Sequence, residues 1–220
     1  MPKIFLHIPK TAGGTLKRAL REATNLNVEF VYSNEDKSRI AESEASEIDL
    51  VYGHAAFGVH DRIGLPDTTG YMCFMRHPLS RTISHYYHLR NVDRGRLGDK
   101  IRSSDNINDF FARLKHREFN NLMCRAISGS PVGERSDDEW FEAAAQNIDR
   151  SFEFIGFQEF LPMSLKRLSE VLGTSIVIQK DVNVGRYSQK DVTDETVAQI
   201  NALNGADLRI YRYAVSKFLT

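Results

Sequence analysis

Residues 4–8 form a short apolar run, β-branched at both ends, with Pro9, Gly13 and Gly14 close behind. That pattern predicts a buried strand entering a loop. Leu16, Ala19, Leu20 and Ala23 then recur at helical spacing. Strand, glycine-containing loop and helix in that order open a βαβ unit, the building block of parallel sheets with helices on both faces. Further strands are predicted at 49–52 and 71–75, each ending on a polar group, and at 152–157 and 175–178. Helical stripes follow at Ile83, Tyr86, Tyr87 and Arg90, at Ile107, Phe110, Phe111 and Leu114, and at Leu161, Leu165, Leu168 and Leu172. The last two run through Val197, Ile200 and Leu203 and then Leu208, Tyr211 and Val215. The polar stretch 33–47 reads as a solvated helix or loop. The pattern predicts one domain over residues 1–220, an α/β, P-loop-like, three-layer fold with a central, mainly parallel sheet flanked by helices.

With 220 residues and 41% hydrophobic content, the chain can bury one sizeable core. Lys plus Arg (29) balance Asp plus Glu (29), so no net charge steers it to nucleic acid or an anionic membrane, and the aromatics lie at core-like periodicities rather than beside a basic stripe. Any anion must be caught by a local site. Cys73 and Cys124, both in apolar settings, read as buried reduced thiols. The first apolar run is too short for a signal sequence and no stretch is long enough to span a bilayer, so a soluble, cytoplasmic chain is expected. Oligomeric state leaves no sequence signal.

Candidate chemistry lies at the strand ends, where open α/β sheets bind their ligands. The segment His7-Ile8-Pro9-Lys10-Thr11-Ala12-Gly13-Gly14-Thr15 joins a strand to a helix. Free amides and the helix dipole favour an anion there, with Lys10 adding a full charge and Thr11 and Thr15 hydroxyl donors. It is not a Walker A loop, because Lys10 precedes both glycines instead of following them. A tight turn with a surface lysine is the plainer alternative. Arg76-His77-Pro78-Leu79-Ser80-Arg81-Thr82-Ile83-Ser84 repeats the strand-to-helix arrangement. Arg76 can fork onto two phosphate oxygens, and Ser84 lies two turns along the helix; an arginine capping the sheet and a packed serine read equally well.

Together HIPKTAGGT and RHPLSRTIS resemble the loops of the 3′-phosphoadenosine-5′-phosphosulfate (PAPS)-dependent sulfotransferases, in particular the carbohydrate branch that includes heparan sulfate 2-O-sulfotransferase. Weaker similarity continues through FNNLMCRAISG, FIGFQEFLPMSLKRLSEVLG and LNGADLRIYRYA. The resemblance implies PAPS as co-substrate and 3′-phosphoadenosine-5′-phosphate (PAP) as product. It places the 5′-phosphosulfate on Lys10, Thr11, Ala12, Gly13, Gly14, Thr15 and Leu16, and the 3′-phosphate on Arg76 and Ser84. Arg186 and Ser188 fall where related enzymes fold a loop over the nucleotide. Two departures stand out: His77 where the family usually has Asp, and Gly14 where a hydroxyl residue is common.

Sulfuryl transfer needs a base for the acceptor hydroxyl, in-line alignment and stabilisation of the leaving phosphate oxygen, and in principle no metal. Lys10 is expected to stabilise the leaving group. His54, within a GHAAF segment similar to the GH-x-x-F region of the 2-O branch, is the expected base; a structural histidine is the alternative and His60 the runner-up. His85 and His88, at i, i+3 spacing, lack a third metal ligand and read as a packed or solvated helix face. The expected acceptor is a hydroxyl compound, a glycan or glycoconjugate by resemblance. A P-loop kinase or NTPase and a non-catalytic PAP(S)-binding module are the competing classes.

Overall fold

The structure, a computed structural model, describes residues 2–23, 25–42, 45–129, 135–178 and 191–219. Among them are five strands, β1 (Lys3–Leu6), β2 (Val28–Val31), β3 (Leu50–Gly53), β4 (Gly70–Met75) and β5 (Phe152–Phe157), all parallel and ordered β2-β3-β1-β4-β5. The helices of the first half are α1 (Gly13–Glu22), α2 (Asn34–Ala41), α3 (Val59–Arg62), α4 (Pro78–Val92), α5 (Arg96–Arg102) and α6 (Ile107–Arg113). Those of the second half are α7 (Leu122–Ile127), α8 (Asp137–Ser151), α9 (Leu161–Leu172), α10 (Asp194–Leu203) and α11 (Gly205–Phe218).

Strand residues alternate between two cores, because successive side chains leave a strand on opposite faces. Ile4, Leu6, Val51, Tyr71, Cys73 and Met75 pack with α7, α8 and α11 on one face. Phe5, Leu50, Tyr52, Met72, Phe74 and Phe154 pack with α1 and α9 on the other. With both faces covered, the strands have no polar side to show, which is why they read as apolar runs. A third cluster joins α4, α5, α6 and α10 through Ile83, Tyr86, Ile101, Phe110 and Ile200. The expected three-layer, parallel-sheet architecture is therefore present.

Several elements differ from expectation. The sheet gains β2, a four-residue edge strand whose Val28, Glu29 and Phe30 are only half-buried, leaving no strong apolar run. Helix α8 was not foreseen either; its core contacts reduce to Trp140, Ala144 and Ile148, and a Ser136–Glu139 capping box starts it. Residues 175–178 are not a strand: Ile176 is buried, but its amide donates to Ser169 Oγ at 3.0 Å instead of joining a ladder. The 33–47 stretch contains α2, opened by a capping box between Ser33 and Asp36. Cys73 and Cys124 are both free and buried. Among the described residues no helix is long and apolar enough to cross a membrane.

Candidate active site

The strand order sets the site. From β1 the chain runs to one side of the sheet and from β4 to the other, so the crevice beyond their carboxyl ends is the topological switch point where open α/β sheets take ligands. Reading across the carboxyl edge, Tyr32 follows β2, His54 follows β3, His7 and its loop follow β1, and Arg76 follows β4. Neighbouring strands lie about 4.8 Å apart, so these groups stand in a row. The ladder runs one residue past the strands to fix them: His7 N–H donates to the Gly53 carbonyl at 2.8 Å and His54 N–H to the Val31 carbonyl at 3.0 Å.

The loop after β1 is strained. Lys10 and Ala12 hold φ of 72° and 75°, the left-handed region that costs a residue with a Cβ about 1 kcal/mol or more. Left-handed residues alternating with ordinary ones can turn successive amides to one side, the backbone pattern of anion-binding nests. The amides of Gly13, Gly14 and Thr15 open α1, where no earlier helical carbonyl can receive them. The two glycines serve different ends. A Cβ at Gly13 would fall 1.7 Å from His7 Nε2, so the imidazole requires that position bare, whereas one at Gly14 would meet nothing within 4 Å. Gly14 faces open space.

Two expected contacts are used internally. Thr11 is buried and its hydroxyl donates to the Ile8 carbonyl at 2.8 Å, stapling the loop rather than pointing outward. Leu16 is buried in the α1 core, and its amide donates to the Ala12 carbonyl at 3.1 Å. Thr15 stays half-buried in the first turn of α1.

Arg76 joins the second segment to the first: its Nη1 donates to the Lys10 carbonyl at 3.3 Å. Burial and the Arg76 charge hold the Lys10 ammonium below its ordinary pKa. Ser84 is buried on α4, and His88, one turn further along, is depressed by burial and by the Lys10 charge. That face of α4 therefore borders the same crevice. Glu159, just past β5, accepts the His77 amide at 2.7 Å and the Tyr211 hydroxyl at 3.1 Å.

His54 keeps an exposed edge yet stands among other rings, 4.5 Å from the His7 centroid and 5.0 Å from Tyr32. Burial and Lys17 push its pKa below the usual histidine value, while Glu118 pulls it back up. His7 is lowered to about 3 by burial and by His54, Lys17 and Lys10, so it is a neutral ring at physiological pH; its Nδ1 is buried and has no partner among the described residues. Lys17 Nζ sits 3.9 Å above the Tyr32 ring. Lys17, Tyr32 and Glu118 escaped the sequence reading. The strand-end rule would have found Tyr32 had β2 been recognised.

His60, the runner-up base, is elsewhere. Its Nδ1 lies 2.6 Å from the hydroxyl of Tyr71, the second residue of β4, at the amino end of the sheet. His60, Asp61 and Asp67 bring potential metal ligands together there. Tyr71 oxygen already receives the amides of Gly58 and His60. With both amides on that oxygen, the phenol proton can go to His60 Nδ1, leaving Nε2 to face the Asp61 and Asp67 carboxylates at 3.4 and 3.7 Å. His85 and His88 part company: His85 is buried with Nε2 at 3.3 Å from Glu118, and His88 is exposed. Arg186 and Ser188 lie outside the described residues.

No protein-family model matches this sequence, and no curated protein matches it. Among solved structures it is similar to mouse sulfotransferase SULT7A1 complexed with PAP, at 14% identity and a TM-score of 0.48 over 91% of this chain; the chain spans 62% of the length of that protein. A sulfotransferase from Alicyclobacillus acidocaldarius is similar at 17% identity and a TM-score of 0.44, over 96% of this chain and 99% of the other.

Proposed function

We propose that this chain is a PAPS-dependent sulfotransferase that transfers a sulfuryl group to a hydroxyl acceptor, a carbohydrate. One observation carries the reading: the Arg76 guanidinium reaches the Lys10 carbonyl across the switch-point crevice, uniting two cationic strand ends beside one imidazole. The cradle fits a doubly phosphorylated nucleotide. Its amides converge, Gly14 leaves open space, and the depressed Lys10 gains most from a nearby anion. Lys10, the amides of Gly13 and Gly14, and Thr15 would hold the 5′ end; Arg76 and Ser84 would hold the 3′-phosphate and so distinguish this donor from ATP.

The donor supplies the sulfuryl group. His54, neutral because of its lowered pKa, takes the acceptor's hydroxyl proton while that oxygen bonds to sulfur and the sulfur–phosphate oxygen bond breaks. Lys10 and the loop amides stabilise the charge left on the phosphate oxygen. His7, held neutral against His54, adds no repulsion when the imidazolium forms. Tyr32, 38% exposed beside His54, offers an acceptor a partly exposed aromatic edge, and Lys17, over one face of that ring, adds a cation. A phosphoryl-transfer reading is disfavoured by the Thr11 hydroxyl, which is bonded to Ile8 rather than free for a metal.

The test is transfer of labelled sulfate from PAPS to a panel of saccharides. Transfer should occur, and His54→Ala and Lys10→Ala should each lower it by about a hundredfold or more. Full turnover in both variants would contradict the assigned roles, and Mg²⁺-dependent ATP hydrolysis with no PAPS use would contradict the class.

A further inference from the structure

Helix α4 starts without the device that such a helix ordinarily carries. Its N-cap residue is His77, whose side chain makes no capping hydrogen bond, and Pro78 follows in the first turn. The carboxylate at this start comes instead from the turn that follows β5. Glu159 Oε1 accepts the His77 amide at 2.7 Å, and Glu159 Oε2 is held by the Tyr211 hydroxyl at 3.1 Å. Tyr211 is itself braced, edge-on to Phe157 at 5.6 Å and to the His77 ring at 5.7 Å. Burial and the adjoining carboxylate push the Tyr211 phenol above its ordinary pKa, so it remains a hydrogen-bond donor.

The amide held by Glu159 belongs to the residue immediately after Arg76. Fixing that peptide fixes the direction in which the arginine leaves β4, and with it the reach of its guanidinium to the Lys10 loop. We propose that Glu159 is a positioning residue for Arg76, clamping the β4–α4 turn from the end of β5 so that the guanidinium is aimed at the 3′-phosphate. The carboxylate also lies where the α4 dipole favours negative charge. Glu159 touches no reacting atom in this scheme. Its partner Tyr211 stands four residues after Asp207 on the same face of α11, so the clamp is anchored in the packed rear of the molecule.

This inference rests on the nucleotide reading above, and its test separates the two. Binding of PAP and of 5′-AMP is measured by calorimetry for the wild type, Glu159→Gln, Glu159→Ala and Glu159→Ala/His77→Asp, together with amide hydrogen exchange across residues 77–82. In Glu159→Ala the preference for PAP over 5′-AMP should fall roughly three- to tenfold, the loss expected for one charge-assisted hydrogen bond acting through geometry. Exchange at the first turn of α4 should quicken. Glu159→Gln should fall between, and an aspartate N-cap at position 77 should restore much of the preference and the protection. An unchanged preference in Glu159→Ala, or equal weakening of both nucleotides, overturns the proposal. If the wild type itself does not prefer PAP, the functional reading fails instead. The exchange data then decide the clamp alone: protection unaltered by Glu159→Ala overturns it.

Discussion

Two polar centres among the described residues treat their polar groups differently. At the rear, where the turn 117–119 and α7 meet α10 and α11, Asn121, Asn204 and Asp207 find hydrogen-bond partners within the protein. Asp207, fully buried, accepts the amides of Met123 and Cys124 at 3.2 and 2.7 Å and so caps α7 from a distance. Asn121 accepts the Asp207 amide at 3.1 Å, while Asn204 binds the Asn121 amide and the Phe119 and Ile200 carbonyls. At the front, the Arg76 guanidinium meets the Lys10 carbonyl, bringing two cationic side chains to one crevice, and His7 Nδ1 is buried without a partner among the described residues. A network of buried side chains bonded to backbone groups specifies the fold. On the proposed reading, two cations brought together at a switch point serve a ligand.

The sharpest way to break this contrast is at Asp207. Its removal strands two amides and the buried Arg81 guanidinium whose charge it faces, so Asp207→Ala should cost about 3–5 kcal/mol of stability, read as a lowered urea midpoint. Lys10→Met should do the reverse: transfer falls by about 10²- to 10³-fold while the urea midpoint stays put. Equal stability losses in the two variants would erase the distinction.

The two centres also differ in how far the sequence exposes them. The front was legible because its residues are local: a loop between a predicted strand and helix carries the basic and small residues that anion binding needs, and the RHP turn repeats the arrangement. What escaped it depended on edges and long-range pairing. Tyr32 and Lys17 meet only because β2 exists, and a half-buried four-residue strand has little periodicity to find. The inward turn of Thr11 is likewise invisible in a motif that fits both directions. The rear segments resembled family sequence without any mechanism attached, since Asn121, Asn204 and Asp207 are joined by contacts more than eighty residues apart in the chain.

Gly13→Ala tests whether the front loop is built around His7. A methyl group would enter the imidazole, so a loss of about 1–3 kcal/mol is expected, and His7→Ala in the same chain should recover most of it. If the double variant is no more stable than the single one, the mutual fit is wrong.

Acid should separate the centres more gently. Neutral His54 is the competent base, so kcat/KM should be flat above its lowered pKa and fall tenfold per pH unit below it, with the limb lying under the ordinary histidine value of about 6.5 and vanishing in His54→Ala. His7 makes a parallel statement about folding. Its folded pKa of about 3 lies below the ordinary histidine value of 6.5, so the unfolded chain binds the proton first; stability is complete above about pH 6.5 and declines as pH falls towards 3. Titration of urea midpoints should show a shallower decline in His7→Phe. The smallest effect is expected of Lys10→Gly, which relieves a left-handed residue and should raise stability by about 1 kcal/mol even as it abolishes the charge.

The central claim is that Lys10 and Arg76 grip opposite ends of one bisphosphate nucleotide. Calorimetric titration with PAP and with 5′-AMP, of the wild type, Lys10→Met and Arg76→Met, tests it most directly. The wild type should bind PAP at least tenfold more tightly than 5′-AMP, Arg76→Met should close that gap, and Lys10→Met should weaken both nucleotides alike. Equal wild-type affinities, or a gap that survives Arg76→Met, would contradict it.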